Sequence, residues 1–258
     1  TVNSGATLGG DGAVAGTVTV VGGTVSPELG LAEDLGTGSL TLDSASTVTF
    51  QINGLTPGVN AGYDQLDVTG TVDLNSDLGA GATLDLTLNA GVNPADGAIF
   101  ILIDNDGDHT TDTVSGEFDG LPNGSVITLN DGTNDYVFTI HYDKETAETD
   151  TNGNNVVLVS HGIAETSVEL VSNGSTLDLV ITDISQESPE LLDISIQNIG
   201  GTDYYVIKDT NSPELAMTTS IAAADANRIS QNEIHVKVSA VTGGLIVNSD
   251  YSGDVGDN

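Results

Sequence analysis

GATLGGDGAVAGTVTVVGGTVSP, residues Gly5–Pro27, opens a stretch reaching Ser160 in which short Val, Ile, Leu and Thr runs alternate with Gly, Asn and Asp. YDQLDVTGTVDL (Tyr63–Leu74), GATLDLTLNAG (Gly81–Gly91) and FILIDNDGD (Phe100–Asp108) continue it. GEFDGLPNGSVITLNDGTNDYVFTIHYD (Gly116–Asp143) and NGNNVVLVS (Asn152–Ser160) close it. Thr17–Val21, Leu40–Leu42, Val48–Ile52, Leu66–Val68, Val72–Leu74, Leu84–Leu88 and Ile99–Ile103 alternate apolar with small polar side chains or form short apolar runs. Each is bounded by Gly, Pro, Asn or Asp, the signature of a strand ended by a turn. Capped helical periodicity is missing from this half. Similar strands return at roughly 20 to 25 residues, a period at which stacked β repeats enclose a narrow core. A β-sandwich with long loops would give a similar pattern.

Composition agrees with a thin core. Only 4% of the 258 residues are aromatic and 38% are hydrophobic, whereas 32 are glycine. A wide core is normally filled with Phe, Tyr and Trp. A layered one needs only Val, Ile, Leu and Thr, with glycine at its many turns. Four basic residues (Lys144, Lys208, Arg228, Lys237) face 38 acidic ones, a formal charge of −34. Nucleic acid is excluded as a partner, because binding it requires Lys and Arg to displace counterions from phosphates. The same argument excludes an anionic membrane surface. Such charge strains a folded state by self-repulsion, so salt, divalent cations or a cationic partner is expected to screen it. The chain has no cysteine, which removes disulfides and thiolate chemistry together. Because the chain opens on Thr1, it is expected to be a processed form or a fragment.

The texture changes after Ser160. Thr166–Val171 and Thr176–Thr182 flank Ser-Asn-Gly-Ser, a hairpin signal. Leu192–Ile196 and Tyr204–Ile207 flank a Gly-Gly turn. Ile221–Asn227 (IAAADAN) is either a short helical turn or a loop, and Glu233–Val241 with Gly244–Val247 supply the last strands. A boundary is expected near residues 160–166, giving a solenoid domain over 1–160 and a smaller antiparallel, sandwich-like β module over 161–258 that ends in a solenoid-like strand pair.

Gly5–Gly10 (GATLGG), Tyr63–Leu74, Ile99–Asp106 and Gly116–Leu129 (GEFDGLPNGSVITL), with the closing NGNNVVLV of Asn152–Val159, resemble the repeats of bacterial autotransporter-type surface proteins. The likeness is nearest to the terminal module of very large planctomycete surface proteins. It covers about the first 160 residues, and Asn155 departs from the Asp that often stands there in the family. The resemblance implies a right-handed parallel β-helix in a secreted, modular surface protein, and it implies no reaction and no catalytic residue.

Asp104-Asn105-Asp106-Gly107-Asp108, followed by Asp112, is the sharpest local constellation. Oxygen ligands at alternate positions around a glycine are what calcium coordination uses. Glycine stands at the wrong position for a helix-flanked calcium loop and no Glu closes it, so an acidic turn is the alternative. Asp104, Asp106, Asp108 and Asp112 are the candidate calcium ligands. Asp143, Glu145, Glu148, Asp150, Asn152 and Asn154 form a second oxygen-rich loop, for which a solvated acidic loop is the default and a cation site the alternative, and Asp250, Asp254 and Asp257 lie in a tail, where an end without neighbours rarely holds a rigid site. His109, His141, His161 and His235 lack zinc spacing. No nucleophile elbow, phosphate-binding loop or dinucleotide fingerprint occurs. With 38 carboxylates a chance pair suited to glycoside cleavage carries no information. Asn123-Gly-Ser and Asn173-Gly-Ser are sequons that read as turns.

These observations lead to a non-enzymatic structural module of a bacterial extracellular fibre or surface layer, joined end to end to copies of itself or to neighbouring modules of a longer chain. Thr17, Val18 and Val20 at one end, and Ile234, Val236, Leu245 and Val247 at the other, are the expected pairing residues. A calcium-dependent adhesin or glycan-binding module is the alternative, followed by a polysaccharide-active β-helix enzyme.

Overall fold

A computed structural model describes residues 1–27, 34–58, 61–105, 113–144, 153–183, 192–210, 216–230 and 232–249. The chain is all-β. Its described residues contain no α-helix, and their single helical turn is the 3₁₀ segment Val238–Ala240. Two compact units divide it: residues 1–133 with 138–160, and residues 134–137 with 161–258.

In the first unit the strands follow one another in threes. The first trio is β1 (Val2–Asn3), β2 (Thr7–Gly9) and β3 (Gly12–Val14). The second is β4 (Val18–Val21), β5 (Thr24–Ser26) and β6 (Asp34–Thr37). Next come β7 (Leu40–Leu42), β8 (Thr47–Ile52) and β9 (Gln65–Val68), then β10 (Val72–Asp73), β11 (Thr83–Leu88) and β12 (Ile99–Asn105). β13 (Val114–Ser115) starts a further round. Every strand pairs in parallel with the third one along, so three ladders form: β1-β4-β7-β10-β13, β2-β5-β8-β11 and β3-β6-β9-β12. The register carries inward side chains onto one another from trio to trio. Val2, Val20 and Leu42 lie in one column, Leu8, Val25 and Val48 in a second, and Val14, Thr37 and Val68 in a third. Val20, Val25, Leu42, Val48 and Val68 are fully buried. Alternation dictates this: in β8 the burial of Thr47–Ile52 switches at every residue, with Val48, Phe50 and Ile52 inside.

The corners set the size of each round. Gly38 donates its N–H to the Gly16 carbonyl at 3.1 Å, and Gly70 donates to the Gly38 carbonyl at 3.1 Å. A Cβ on Gly38 would lie 2.9 Å from the Gly16 carbonyl carbon, so the backbones approach too closely there for any side chain. The recurring Gly-Thr/Ser-Val/Leu of residues 16–18, 38–40 and 70–72 is the sequence mark of this corner.

The third ladder ends differently. β16 (Asn155–Asn173) runs antiparallel along β12, with Ile99 opposite Val159 and Ile103 opposite Val156, and β14 (Val126–Asn130) and β15 (Asp135–Lys144) follow it outward. All four phenylalanines (Phe50, Phe100, Phe118, Phe138) are at most 1% exposed. Tyr63 and Phe138 meet Phe100 edge-on at 5.2 and 5.9 Å. The aromatics thus fill the end of this unit where intervening loops are longest.

In the second unit β16 turns into β17 (Thr176–Asp183) through Gly174 at φ +72°. β18 (Leu192–Ile199) and β19 (Thr202–Asp209) form the second hairpin around Gly200 and Gly201. β20 (Ala216–Thr219), β21 (Ala226–Ser230), β22 (Glu233–Lys237) and β23 (Leu245–Ser249) complete the chain. An antiparallel sheet has the order β18-β19-β22-β21, while β20 and β23 add in parallel to β16 and β17. Val168, Leu179, Ile181, Ile207, Met217, Ile234 and Val236 make the core. Residues 223–225 of IAAADAN form a turn. The expectation that the last strands open another solenoid is corrected: β22 lies inside an antiparallel sheet, and β23 pairs with β17.

Candidate functional site

Of the expected calcium ligands, Asp104 is described, and Asp106, Asp108 and Asp112 lie outside the described residues. Asp104 sits half-buried on the outer face of the third ladder, in register with Asp67 of β9, which is in register with Gly36 of β6. Adjacent strands hold such neighbours roughly 5 Å apart, a spacing at which like charges oppose folding. Gly36 removes a third side chain from the row. Nearby, Tyr63 is buried and its hydroxyl accepts the Ile101 N–H at 3.3 Å. Burial pushes the Tyr63 phenol up, and the charges of Asp104 and Asp34 add to the effect. Asp34, at the start of β6, lays its carboxylate against Gly58, where an added Cβ would overlap it. Among the described residues its Oδ1 is enclosed without a hydrogen-bond partner, and burial raises its pKa above the usual carboxylate value. Sequence reasoning missed Asp34, because only the tertiary contact with Gly58 reveals it. No group of three or more His, Asp or Glu among the described residues is placed to hold a metal ion.

The second oxygen-rich loop is represented by Asp143 and Asn154; Glu145, Glu148, Asp150 and Asn152 lie outside the described residues, as do Asp250, Asp254 and Asp257. Asp143 faces Lys144 Nζ at 3.7 Å, and its carbonyl accepts the Gly153 N–H at 2.9 Å.

Carboxylates that the sequence reading passed over organise the corner between the first and second ladders. Asp43 accepts the Ser46 hydroxyl at 2.6 Å, the Gly22 N–H of the preceding round at 3.0 Å and the Ala45 N–H at 3.2 Å. Asp77, from the following round, accepts the Ser44 hydroxyl at 2.7 Å and the Ser44 N–H at 3.1 Å. The Ser46 bond holds the Asp43 carboxyl below its usual value, and the Ser44 bond does the same for Asp77. Each acid ties its own turn to a neighbouring one. Asp-Ser-Ala-Ser at residues 43–46 is the signal that could have found them, since Asp and Ser close turns through their side chains.

The expected assembly residues fall into two groups. Thr17 is exposed ahead of β4, but Val18 and Val20 are core, and β4 is paired with β1 on one side and β7 on the other. Ile234 and Val236 are fully buried, in a strand flanked by β19 and β21. The expectation of unfinished strands at these positions is therefore corrected, since their edges are already taken. Leu245 and Val247 are 43% and 50% exposed in β23, paired with β17.

Of the histidines, His109 lies outside the described residues. His141 Nε2 meets Thr139 Oγ1 at 3.2 Å, and His161 is buried. His235 Nε2 lies 2.7 Å from Glu233 Oε1, while Lys208 lies 3.1 Å from the other oxygen; these contacts, the His235 bond foremost, lower the Glu233 pKa. Burial lowers the Arg228 guanidinium to about 10. Of the sequon asparagines, Asn123 is a turn residue whose Oδ1 accepts the Tyr142 N–H at 3.3 Å, and Asn173 ends β16 beside a turn and donates to Asp178 at 3.1 Å.

A shallow cavity of about 490 Å³ lies beside Asn75, Gly116, Glu117, Phe118, Leu121 and Pro122. Tyr142 pins its rim, accepting the Phe118 N–H at 3.1 Å and donating to the Leu121 carbonyl at 2.7 Å. Its lining offers one carboxylate and no partnered base, so it lacks the paired groups that acid–base chemistry uses. No family model, no curated protein and no solved structure matches the chain.

Proposed function

We propose that the chain is a structural module of an extracellular bacterial fibre or surface layer, with residues 1–160 wound as a right-handed parallel β-helix of the autotransporter-type repeat. The observation that carries the reading is the parallel pairing of each strand with the third one along, over three ladders in common register. A continuous winding with three strands per round produces that order, and parallel crossovers are right-handed in nearly all proteins. The inner columns of Val and Leu and the acidic outer surface fit a soluble rod whose length comes from repetition. Its partners are copies of itself or neighbouring modules.

Antibody-gold labelling of the native cells, imaged by electron microscopy, tests the reading. Gold spaced along surface fibres or over a layer is the expected result. Exclusively intracellular gold, or polysaccharide cleavage by the purified chain, would overturn it.

A calcium-dependent adhesin or glycan-binding module is a second reading, favoured by the juxtaposition of Asp67 and Asp104. Calorimetric titration with calcium and with magnesium separates it from the first: a saturable calcium heat lost in Asp104→Asn supports it, and equal weak heats for both ions reject it.

A further inference from the structure

We propose that Asn173 is a site of spontaneous covalent modification, closing on the backbone nitrogen of Gly174 to a succinimide that opens to aspartate or isoaspartate, and that this change loosens β23 from β17. Such chemistry goes beyond the structural-module reading and does not depend on it.

Asparagine before glycine is a reactive pairing, because glycine has no Cβ to shield its nitrogen. The Gly174 nitrogen gives up its proton and attacks Asn173 Cγ. The N–Cγ bond forms, the Cγ–Nδ2 bond breaks, and ammonia departs with the proton. Water then opens the ring at either carbonyl. One product is aspartate. The other, isoaspartate, runs the chain through the former side chain and so adds a methylene to the backbone. Each carries one more negative charge than asparagine.

The chain holds four Asn-Gly pairs, at Asn53, Asn123, Asn152 and Asn173, and the fold separates them. The Gly124 N–H donates to the Ile140 carbonyl at 2.8 Å, and Asn123 Oδ1 is held by the Tyr142 N–H at 3.3 Å, so both reacting groups are engaged. The Gly153 N–H, next to Asn152, donates to the Asp143 carbonyl at 2.9 Å. Asn53 Oδ1 accepts the Asn89 amide, and an added Cβ on Gly54 would overlap the Ala61 carbonyl oxygen, so that pair is closed in. Asn173 and Gly174 differ from all three. Both are exposed, the space beside Gly174 is open, and among the described residues the Gly174 N–H has no acceptor. The hairpin is the cause: Asn173 pairs with Thr176, which leaves Gly174 in a two-residue loop outside the ladder. The Asn173 side chain has one bond to give up, from Nδ2 to Asp178 Oδ2 at 3.1 Å.

That bond also fixes the consequence. Asp178 is 7% exposed, and its other oxygen accepts the Gly244 N–H at 2.7 Å. Beside it the Leu177 N–H donates to Thr242 Oγ1 at 2.8 Å, and the Leu179 N–H to the Gly244 carbonyl at 2.9 Å. These contacts lead into the five parallel pairs that join β23 to β17. Conversion of Asn173 replaces a donor aimed at Asp178 with a second carboxylate, and like charges so placed oppose one another. Isoaspartate further displaces position 173 from its register on Thr176. An exposed asparagine thus sets a slow timer on the attachment of β23.

The test incubates the whole folded chain at mildly alkaline pH. Peptide mass spectrometry follows the replacement of NH by O at each asparagine, and electron-transfer fragmentation separates the two acids. Asn173 should react at least about tenfold faster than Asn53, Asn123 or Asn152, a barrier difference of about 1.4 kcal/mol or more. In urea, where the fold no longer separates them, the four rates should converge. Asn173→Asp installs the carboxylate at once, and amide hydrogen exchange over Leu245–Ser249 should then be several-fold faster than in the unmodified chain, with exchange in β8 unchanged. Absence of product at Asn173, equal rates at Asn173 and Asn123 in the folded chain, or unaltered exchange in β23 of Asn173→Asp would overturn the proposal.

Discussion

Asp34 and Asp43 are two carboxylates of one unit whose environments push them in opposite directions. The Asp34 pKa is raised from 3.8 by burial against Gly58. A raised carboxyl contributes stability that is full below 3.8 and is lost as pH rises through the folded value, so ionised Asp34 weakens the fold at neutral pH. Asp34→Asn should raise the melting temperature at pH 7, by less than about 1 kcal/mol after solvent screening, and the gain should vanish near pH 3. Asp43 is lowered from 3.8, first by the Ser46 hydroxyl and then by the Gly22 N–H. Its contribution is present above 3.8 and is lost as pH falls through the lower folded value. Asp43→Asn should therefore lower the melting temperature at pH 7 and flatten the loss of stability on acidification. Paired thermal melts of the two variants across pH read both signs at once. The Asp34 role was not legible in the sequence, whereas the Asp43 role had a signal in Asp-Ser-Ala-Ser that was passed over. Asp34 owes its state to packing against a glycine 24 positions away, and Asp43 owes its state first to Ser46 in its own turn and only then to Gly22 of the preceding one.

At the scale of elements, legibility followed side-chain alternation. Leu40–Leu42 was read with the bounds it has, and Thr47–Ile52 and Thr83–Leu88 to within a residue, because each buries alternate apolar side chains or nearly so. β1, β2 and β3 were not read as strands. They are two or three residues long (Val-Asn, Thr-Leu-Gly and Gly-Ala-Val), too short to show alternation, and are defined only by their neighbours. Both hairpins of the second unit were legible from Asn-Gly and Gly-Gly, whereas the antiparallel placement of β22 was not, because edge and centre strands share one alternation. Two variants test the element-level account by chemical denaturation. Phe50→Ala removes a fully buried ring from β8 and should cost about 3–5 kcal/mol. Gly38→Ala forces a Cβ to within 2.9 Å of the Gly16 backbone and should cost roughly 1–3 kcal/mol, while Gly16→Ala, with open space around its Cβ, should be nearly neutral. Equal effects for the two glycines would contradict the stacked corner.

The whole molecule carries a formal charge of −34. Self-repulsion of that size should raise the melting temperature steadily with sodium chloride up to about 1 M, where screening extends over only roughly 3 Å. Calcium and magnesium at equal ionic strength should act alike unless a specific site exists, and any calcium excess should disappear when Asp104, Asp106 and Asp108 are replaced by Asn. A melting point indifferent to salt would remove the electrostatic account. The ladders also differ in how much they hold: β1 and β4 share two register pairs, whereas β8 and β11 share six. Pulled along the direction of stacking, such an object yields at its weakest rung first and keeps the stronger ones closed. Each opening releases slack while the remainder still bears load, so extension proceeds in steps and dissipates work at every one. A tether built this way would cushion a sudden tug rather than transmit it.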